Sequence, residues 1–271
     1  VAEAPAKAPQ PLPLALPRLE IDTAATPEQL AAMLARISAY WQMIGEEAPH
    51  WSVLTQDRFR PEAIKRQQAA FYATGEADAA LVGGLMRRWD VPEGPEATCL
   101  EFGCGVGRAT VHLAPLFGKV IGCDVSASHI RLGRRQAKLR GIGTIRWHVS
   151  TAETLMPATR WDVWYSRIVL QHNPPPVMAH LLGLAFRRLK PGGLAVFQLP
   201  THLVGYRFSV GEYLAEEGPP RMEMHVLPQA AVFTLAAAAG LEVLDVRDDN
   251  VVGDVGRWLS TLFVLRRPRR G

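Results

Sequence analysis

Cysteine is scarce in this chain: three residues among 271, at Cys99, Cys104 and Cys123, with no C-x-x-C pair. An odd count without paired spacing excludes a disulfide framework and a cysteine zinc site, and the reading is three small buried side chains in a reducing, cytoplasmic protein. Long apolar runs are missing as well. The most apolar stretch, Ala230 to Leu241, is Ala-rich and shorter than the ~20 residues a bilayer span requires, so it reads as a buried helix and not as a membrane segment. A one-signed charge field is also lacking. The net charge of +4 is matched by Arg266, Arg267, Arg269 and Arg270 at the end of the chain, which leaves a near-neutral body. Nucleic-acid enzymes spread basic groups over a folded face, so nucleic acid is excluded as a partner. No internal repeat is visible.

What is present begins with a Pro/Ala-rich stretch, residues 1–26, read as a tail or an interdomain linker without the basic, apolar and cleavage-site regions of a secretory signal. The chain starts at Val1 and not Met, which points to a processed chain or one excised from something longer. Thr26-Pro27-Glu28 is a helix start, with a capping hydroxyl followed by Pro at the first helical position. Leu30, Met33, Leu34, Ile37, Tyr40 and Trp41 then recur at helical spacing, and the last two are assigned to core. Further helices are expected over 61–74 and 77–89, so that 27–90 forms a helical cap or lid. From residue 91 onward, short apolar runs alternate with helical patterns. Strands are expected near 98–102, 119–123, 144–149, 162–168 and 193–199, with helices near 107–117, 127–140, 174–190 and 228–239 and two last strands at 241–247 and 257–265. This is an α/β fold, a doubly wound parallel sheet with helices on both faces. Its ligand is expected at the carboxyl ends of the strands, where strand order reverses. A long insertion near 201–226 interrupts the pattern and should overhang that cleft.

The densest signal lies at 98–107, Thr-Cys-Leu-Glu-Phe-Gly-Cys-Gly-Val-Gly, an apolar strand entering a glycine turn that opens a helix. Gly103, Gly105 and Gly107 allow a tight turn and close approach of a ligand, and the helix amides beyond face a polar or anionic group. Arg108 stands where a dinucleotide-binding turn would place its third glycine, which argues against an oxidoreductase. Asp124 closes the next apolar run; its two oxygens suit two vicinal ribose hydroxyls, with a helix N-cap as the alternative role.

Glu101-Phe102-Gly103-Cys104-Gly105-Val106-Gly107 resembles the first motif of class I S-adenosylmethionine-dependent methyltransferases. Trp161 to His172 and Arg187 to Leu194 resemble the fourth strand with its exit and the helix end, turn and fifth strand of that family. The resemblance covers roughly 95–200. It implies a seven-stranded sheet whose last strand is antiparallel, and S-adenosylmethionine as cofactor. By the same resemblance the donor site comprises Glu101, Gly103, Cys104, Gly105, Gly107, Asp124 and Val125, then Thr151, Ala152 and Glu153 at the adenine edge, and Ser166 and Arg167 under the methionine chain. Thr151 stands where the family often has Asp.

Methyl transfer to a hydroxyl asks the protein for alignment and removal of one proton. His172, just past the fourth strand, is the candidate base; a structural imidazole at a strand end is the alternative. Trp51, Tyr206, Arg207 and His225 are expected to line the acceptor side, with Phe208 and Tyr213 as further aromatic walls. Asn173-Pro174-Pro175-Pro176 comes too late, and ends in Pro, for the N-P-P-aromatic motif of adenine methyltransferases. No metal site is expected, since no paired acids follow the fourth strand. Bacterial glycan and secondary-metabolite methyltransferases resemble the segment from Trp41 to Phe59, which points to O-methylation of a sugar, glycan precursor or other small hydroxyl compound. N- or carboxyl methylation of a metabolite, and a catalytically silent donor-binding module, are the rival readings.

Overall fold

The computed structural model describes residues 16–219, 221–249, 251–254 and 256–269. The expected tail therefore lies outside the described residues up to residue 15, as does Arg270. The chain runs β1 (Glu20–Ile21), α1 (Pro27–Glu47), α2 (Ile64–Ala73), α3 (Glu76–Arg88), β2 (Gly94–Phe102) and α4 (Thr110–Leu113). It continues through β3 (Phe117–Asp124), α5 (Ala127–Leu139), β4 (Ile145–Val149), β5 (Trp161–Ser166), α6 (Pro175–Arg187) and β6 (Leu189–Leu203). It ends with β7 (Arg207–Phe208), α7 (Val210–Ala215), α8 (Gln229–Ala238), β8 (Glu242–Asp248) and β9 (Trp258–Arg266). Among the described residues no helix is long and apolar enough to cross a membrane.

Seven strands form one sheet in the order β4-β3-β2-β5-β6-β9-β8, and β9 alone runs antiparallel to its neighbours. The chain leaves β2 in one direction through β3 and β4 and then returns to the other side of β2 through β5. The carboxyl ends of β2 and β5 therefore flank the switch point, where an open α/β sheet binds its ligand. Both sheet faces are covered. One core joins Leu100, Ile121, Trp164 and Phe197 to α6, α8 and residues Met33 and Ile37 of α1. The other joins Cys99, Val120, Val163 and Val196 to Phe71 and Tyr72 of α2 and Val82 and Met86 of α3. The expected cap, 27–90, is thus packed into both cores. All three cysteines are buried and unpaired.

Local chemistry explains the boundaries. Thr26 caps α1 with its hydroxyl on the Gln29 amide while the Gln29 side chain accepts from the Thr26 amide, a reciprocal capping box. Ser126 caps α5 by accepting from the His129 amide, so this duty does not fall to Asp124. The helix expected over 107–117 is only one turn, Thr110–Leu113, followed by a 3-10 turn at Ala114–Leu116 that contains Pro115. Three elements, β1, β7 and α7, fall inside stretches read as tail and insertion. Residues 20–21 pair in parallel with 207–208, and Asp22 Oδ2 accepts from the Val210 amide at the start of α7.

Candidate active site

A cavity of about 320 Å³ opens at the switch point. Its floor is the glycine turn. Gly103, Gly105 and Gly107 all have positive φ, at 74°, 53° and 79°, where a side chain is strained. Asp124 secures this turn: Oδ2 accepts from the Gly105 amide and Oδ1 from the Ser126 amide, each at 2.8 Å. Oδ2 keeps a lone pair for a ligand hydroxyl, while Oδ1 also faces His129 Nδ1 at 3.4 Å. Glu101 lies beside it and accepts from Thr110 Oγ1 at 2.5 Å. Burial lifts the Glu101 carboxyl to about 8, against the lowering pull of that hydrogen bond and of Arg108.

The expected donor residues Glu101, Gly103, Cys104, Gly105, Asp124, Val125, Thr151, Ala152 and Arg167 all line the cavity, as does His172. Three others do not. Gly107 makes room for a side chain of the protein: a β-carbon there would lie 2.8 Å from the Trp147 ring. Ser166 is fully buried and donates to the Phe102 carbonyl, tying β5 to β2. Glu153 is exposed on the turn after β4, where Thr151 and Thr154 bond each other.

The acceptor side needs a larger correction. Trp51 is capped by Arg60, whose guanidinium sits 4.8 Å from its ring centroid, and it lies outside the cavity. Tyr206, Arg207 and His225 line a separate surface hollow with Phe208 and Tyr213. The polar groups of that hollow are turned on one another. Tyr206 Oη meets His225 Nδ1 at 2.7 Å, and Glu223 accepts from Tyr213 Oη and meets His225 Nε2. The cavity roof comes instead from α1, through Leu34, Ile37, Ser38, Trp41 and Gln42. Trp41, assigned to core by its helical spacing, therefore faces the cavity, with its ring 5.0 Å from that of His172. The signal was present in the sequence: Ser38 and Gln42 lie beside that apolar face at helical spacing, where a purely structural contact would favour apolar residues.

His172 sits in the 3-10 turn Leu170–His172 beyond β5. Its Nδ1 lies 2.9 Å from the Glu223 carbonyl, which requires an N–H there and leaves Nε2 as the acceptor. Among the described residues only the Gln171 amide approaches Nε2, at a long 3.4 Å. Burial pushes the imidazole down to about 4, opposed by its bond to the Glu223 carbonyl.

Sequence reading also missed Asp78. This buried carboxylate of α3 accepts the Tyr165 hydroxyl proton, pairs with Arg108 at 2.6 Å and with Arg167 at 3.3 Å. Arg167 also approaches Asp249 at 3.5 Å. Both guanidinium groups that reach the cavity are thus matched by carboxylates. Next to Arg167 in the chain is Ile168, a β-branched residue at φ 59°, whose amide donates to Gln198 Oε1 at 2.9 Å. Such backbone strain persists where surrounding structure holds it, and it concentrates at ligand sites. Among the described residues, no three His, Cys, Asp or Glu side chains group as a metal site.

Comparison with known proteins agrees with this geometry. Residues 99–193 match a protein family described as "Methyltransferase domain". The chain is 32% identical over 173 residues to a ubiquinone biosynthesis O-methyltransferase of Paramagnetospirillum magneticum, covering 63% of this chain and 61% of that protein. It is 30% identical over 114 residues to a trans-aconitate 2-methyltransferase of Azoarcus sp., covering 41% and 42%. The match thus spans less than two thirds of either relative. Among solved structures, magnesium protoporphyrin IX methyltransferase from Synechocystis PCC 6803 with bound SAH superposes with a TM-score of 0.58 at 15% identity, over 86% of this chain and 98% of that one. That likeness is one of fold.

Proposed function

We propose that this chain, built on a class I S-adenosylmethionine-dependent methyltransferase domain, methylates a hydroxyl group of a small uncharged acceptor that presents a ring or other apolar face. The residues suit the cofactor. Asp124 offers two carboxylate oxygens to vicinal hydroxyls, Val125, Val149 and Leu155 offer an apolar slot beside Thr151 and Ala152, and Glu101 offers a carboxyl to an amino group. Bound S-adenosylmethionine supplies an electrophilic methyl group on a sulfonium. The chain's own share is to orient an acceptor under α1, to keep water out, and to accept one proton.

The observation that carries the reading is His172. Its Nδ1–H is held by a backbone carbonyl, its Nε2 is the accepting nitrogen with only a long contact to the Gln171 amide among the described residues, and the ring lines the cavity beside Trp41. With its pKa near 4 the imidazole is neutral across the physiological range and needs no prior deprotonation. The choice of an uncharged acceptor rests on the lining: no lysine is present, and Arg108 and Arg167 are already matched by Asp78 and Asp249. A polycarboxylate, as the name of the Azoarcus relative implies for that protein, would find no free cation among the described residues of the lining. A sugar or phenol ring, by contrast, can lie against Trp41 while Ser38, Gln42 and Asn173 serve its polar edge. A protein chain or polymeric glycan would have to thread beneath α1, which favours small precursors.

The test is S-adenosylhomocysteine formation with panels of sugars, phenols and carboxylates, on wild type and His172→Ala. Hydroxyl compounds are expected to turn over, and His172→Ala to lower kcat by about 10²–10⁴ while donor affinity is kept. Turnover of carboxylates with an active His172→Ala protein would overturn the reading, because a carboxylate needs no base.

A further inference from the structure

The loop between α1 and α2 meets the donor site at two points. Val53 lies on Gly105, so closely that a β-carbon on that glycine would stand 2.6 Å from Val53 Cγ2. Ser52 Oγ lies 3.0 Å from His129 Nε2, and His129 Nδ1 faces Asp124 Oδ1 at 3.4 Å. All three side chains of this chain of contacts are buried, and all three reach the cavity wall. The end of α1 is drawn in at the same place: Gly45 packs on Ser126 and His129, and a β-carbon there would lie 2.2 Å from Ser126 Oγ.

A serine, histidine and aspartate in this order invite comparison with a nucleophilic triad, but the carboxylate opposes it. Ser52 Oγ has two acceptors within reach, the Pro49 carbonyl at 3.1 Å and His129 Nε2 at 3.0 Å, and a ring that donates from Nδ1 to Asp124 accepts the Ser52 hydroxyl at Nε2. Asp124, for its part, is already committed to the Gly105 and Ser126 amides and so to the shape of the glycine turn. What the relay does is connect a loop outside the sheet to the carboxylate that faces the ligand.

We propose that Ser52 and His129 are positioning residues for the methyl donor: the relay Ser52–His129–Asp124 fastens the loop 48–54 over the glycine turn as the donor's lid and orients the Asp124 carboxylate. The inference rests on the donor reading above. Contact with donor and contact with loop converge on one carboxylate, so donor occupancy and loop closure strengthen each other by linkage.

The experiment is calorimetric titration of the full chain with S-adenosylhomocysteine, paired with backbone hydrogen exchange of residues 48–54 with and without it. The variants are Ser52→Ala, His129→Asn, their double and Asp124→Ala. Each single relay variant is expected to bind about tenfold more weakly, the worth of one lost buried hydrogen bond. The double variant should lose no more than the worse single, and ligand-induced protection of 48–54 should vanish in all three. A purely structural role would lower the melting temperature of the ligand-free protein and leave the ligand-induced protection in place, which would overturn the proposal. Additive losses, or binding equal to wild type in both singles, would do the same. If Asp124→Ala binds as wild type does, the donor role of Asp124 itself fails; if only Asp124→Ala fails to bind, the donor role stands and the relay falls.

Discussion

Glu101 is buried beside Thr110 and the glycine turn, and burial holds its carboxyl protonated to about pH 8. A cationic amino group arriving beside it reverses the balance, since an opposite charge favours the ionised form. Donor binding at neutral pH is therefore expected to release about one proton, seen as a dependence of the calorimetric enthalpy on the buffer's ionisation enthalpy. Glu101→Gln should abolish that dependence; if it persists, the proton comes from elsewhere. Ile168 poses a different residue-scale question. Its left-handed backbone is held by Gln198, which is in turn held by Ser260 and, through it, Asp249. Ile168→Gly removes the strain along with some packing, so urea midpoints should move by no more than about 1 kcal/mol in free-energy terms. Donor affinity should nevertheless fall, because the strand exit loses its fixed path.

Among the elements, α1 stands out for where its contacts go. Arg36 bonds the Tyr213 and Glu216 carbonyls, pairs with the Glu216 and Glu223 carboxylates, and stacks on the Tyr213 ring at 4.6 Å. One side chain thus holds the roof helix to the segment that also supplies the carbonyl for His172. Arg36→Ala is expected to expose residues 204–226 to limited proteolysis and to lower kcat more than donor affinity. Unchanged cleavage kinetics would count against α1 and this segment acting as one roof. These contacts also mark the limit of sequence reading. The seven strands, the long helices and the glycine turn were legible because their signals are local: alternating apolar runs, caps such as Thr26 and Ser126, and glycines at fixed offsets. The roof was not. Tyr206 and His225 carry the residue types of a binding wall, yet they satisfy one another. Trp41 carries the spacing of a core residue, yet it meets His172 across more than a hundred residues of chain. Which of two aromatic groups turns inward is settled by partners distant in sequence. For the same reason Asp78 could not be distinguished from any other acid in the first turn of a helix.

On the scale of the whole molecule, several buried groups of opposite sense shape the pH dependence of stability. Burial lowers His50 and His172 to about 4, and His180 and His202 move the same way. For these the unfolded chain binds the extra proton, so their stabilisation is complete above the ordinary value of 6.5 and is lost as pH falls toward 4. Glu101 works the other way. Its folded pKa is raised from 4.5 to about 8, so its contribution is complete below 4.5 and is lost as pH rises through 8. Urea midpoints followed across the pH range should rise from 4 to a maximum near 6.5 and decline toward 8. Glu101→Gln should flatten the alkaline limb and steepen the rise between 4.5 and 6.5. A profile that climbs steadily through pH 8 would contradict the buried state of Glu101.

The pairing of residues 20–21 with 207–208 has a consequence for protein engineering. The first fifty or so residues and the segment 204–226 are far apart in the chain and grip each other through Asp22, Arg36 and Glu223. A laboratory recombinant that takes only the first ninety or so residues from a relative would inherit a roof without its matching clasp. Exchanging both pieces together, with the glycine-turn region left in place, is the graft that keeps the interlock whole.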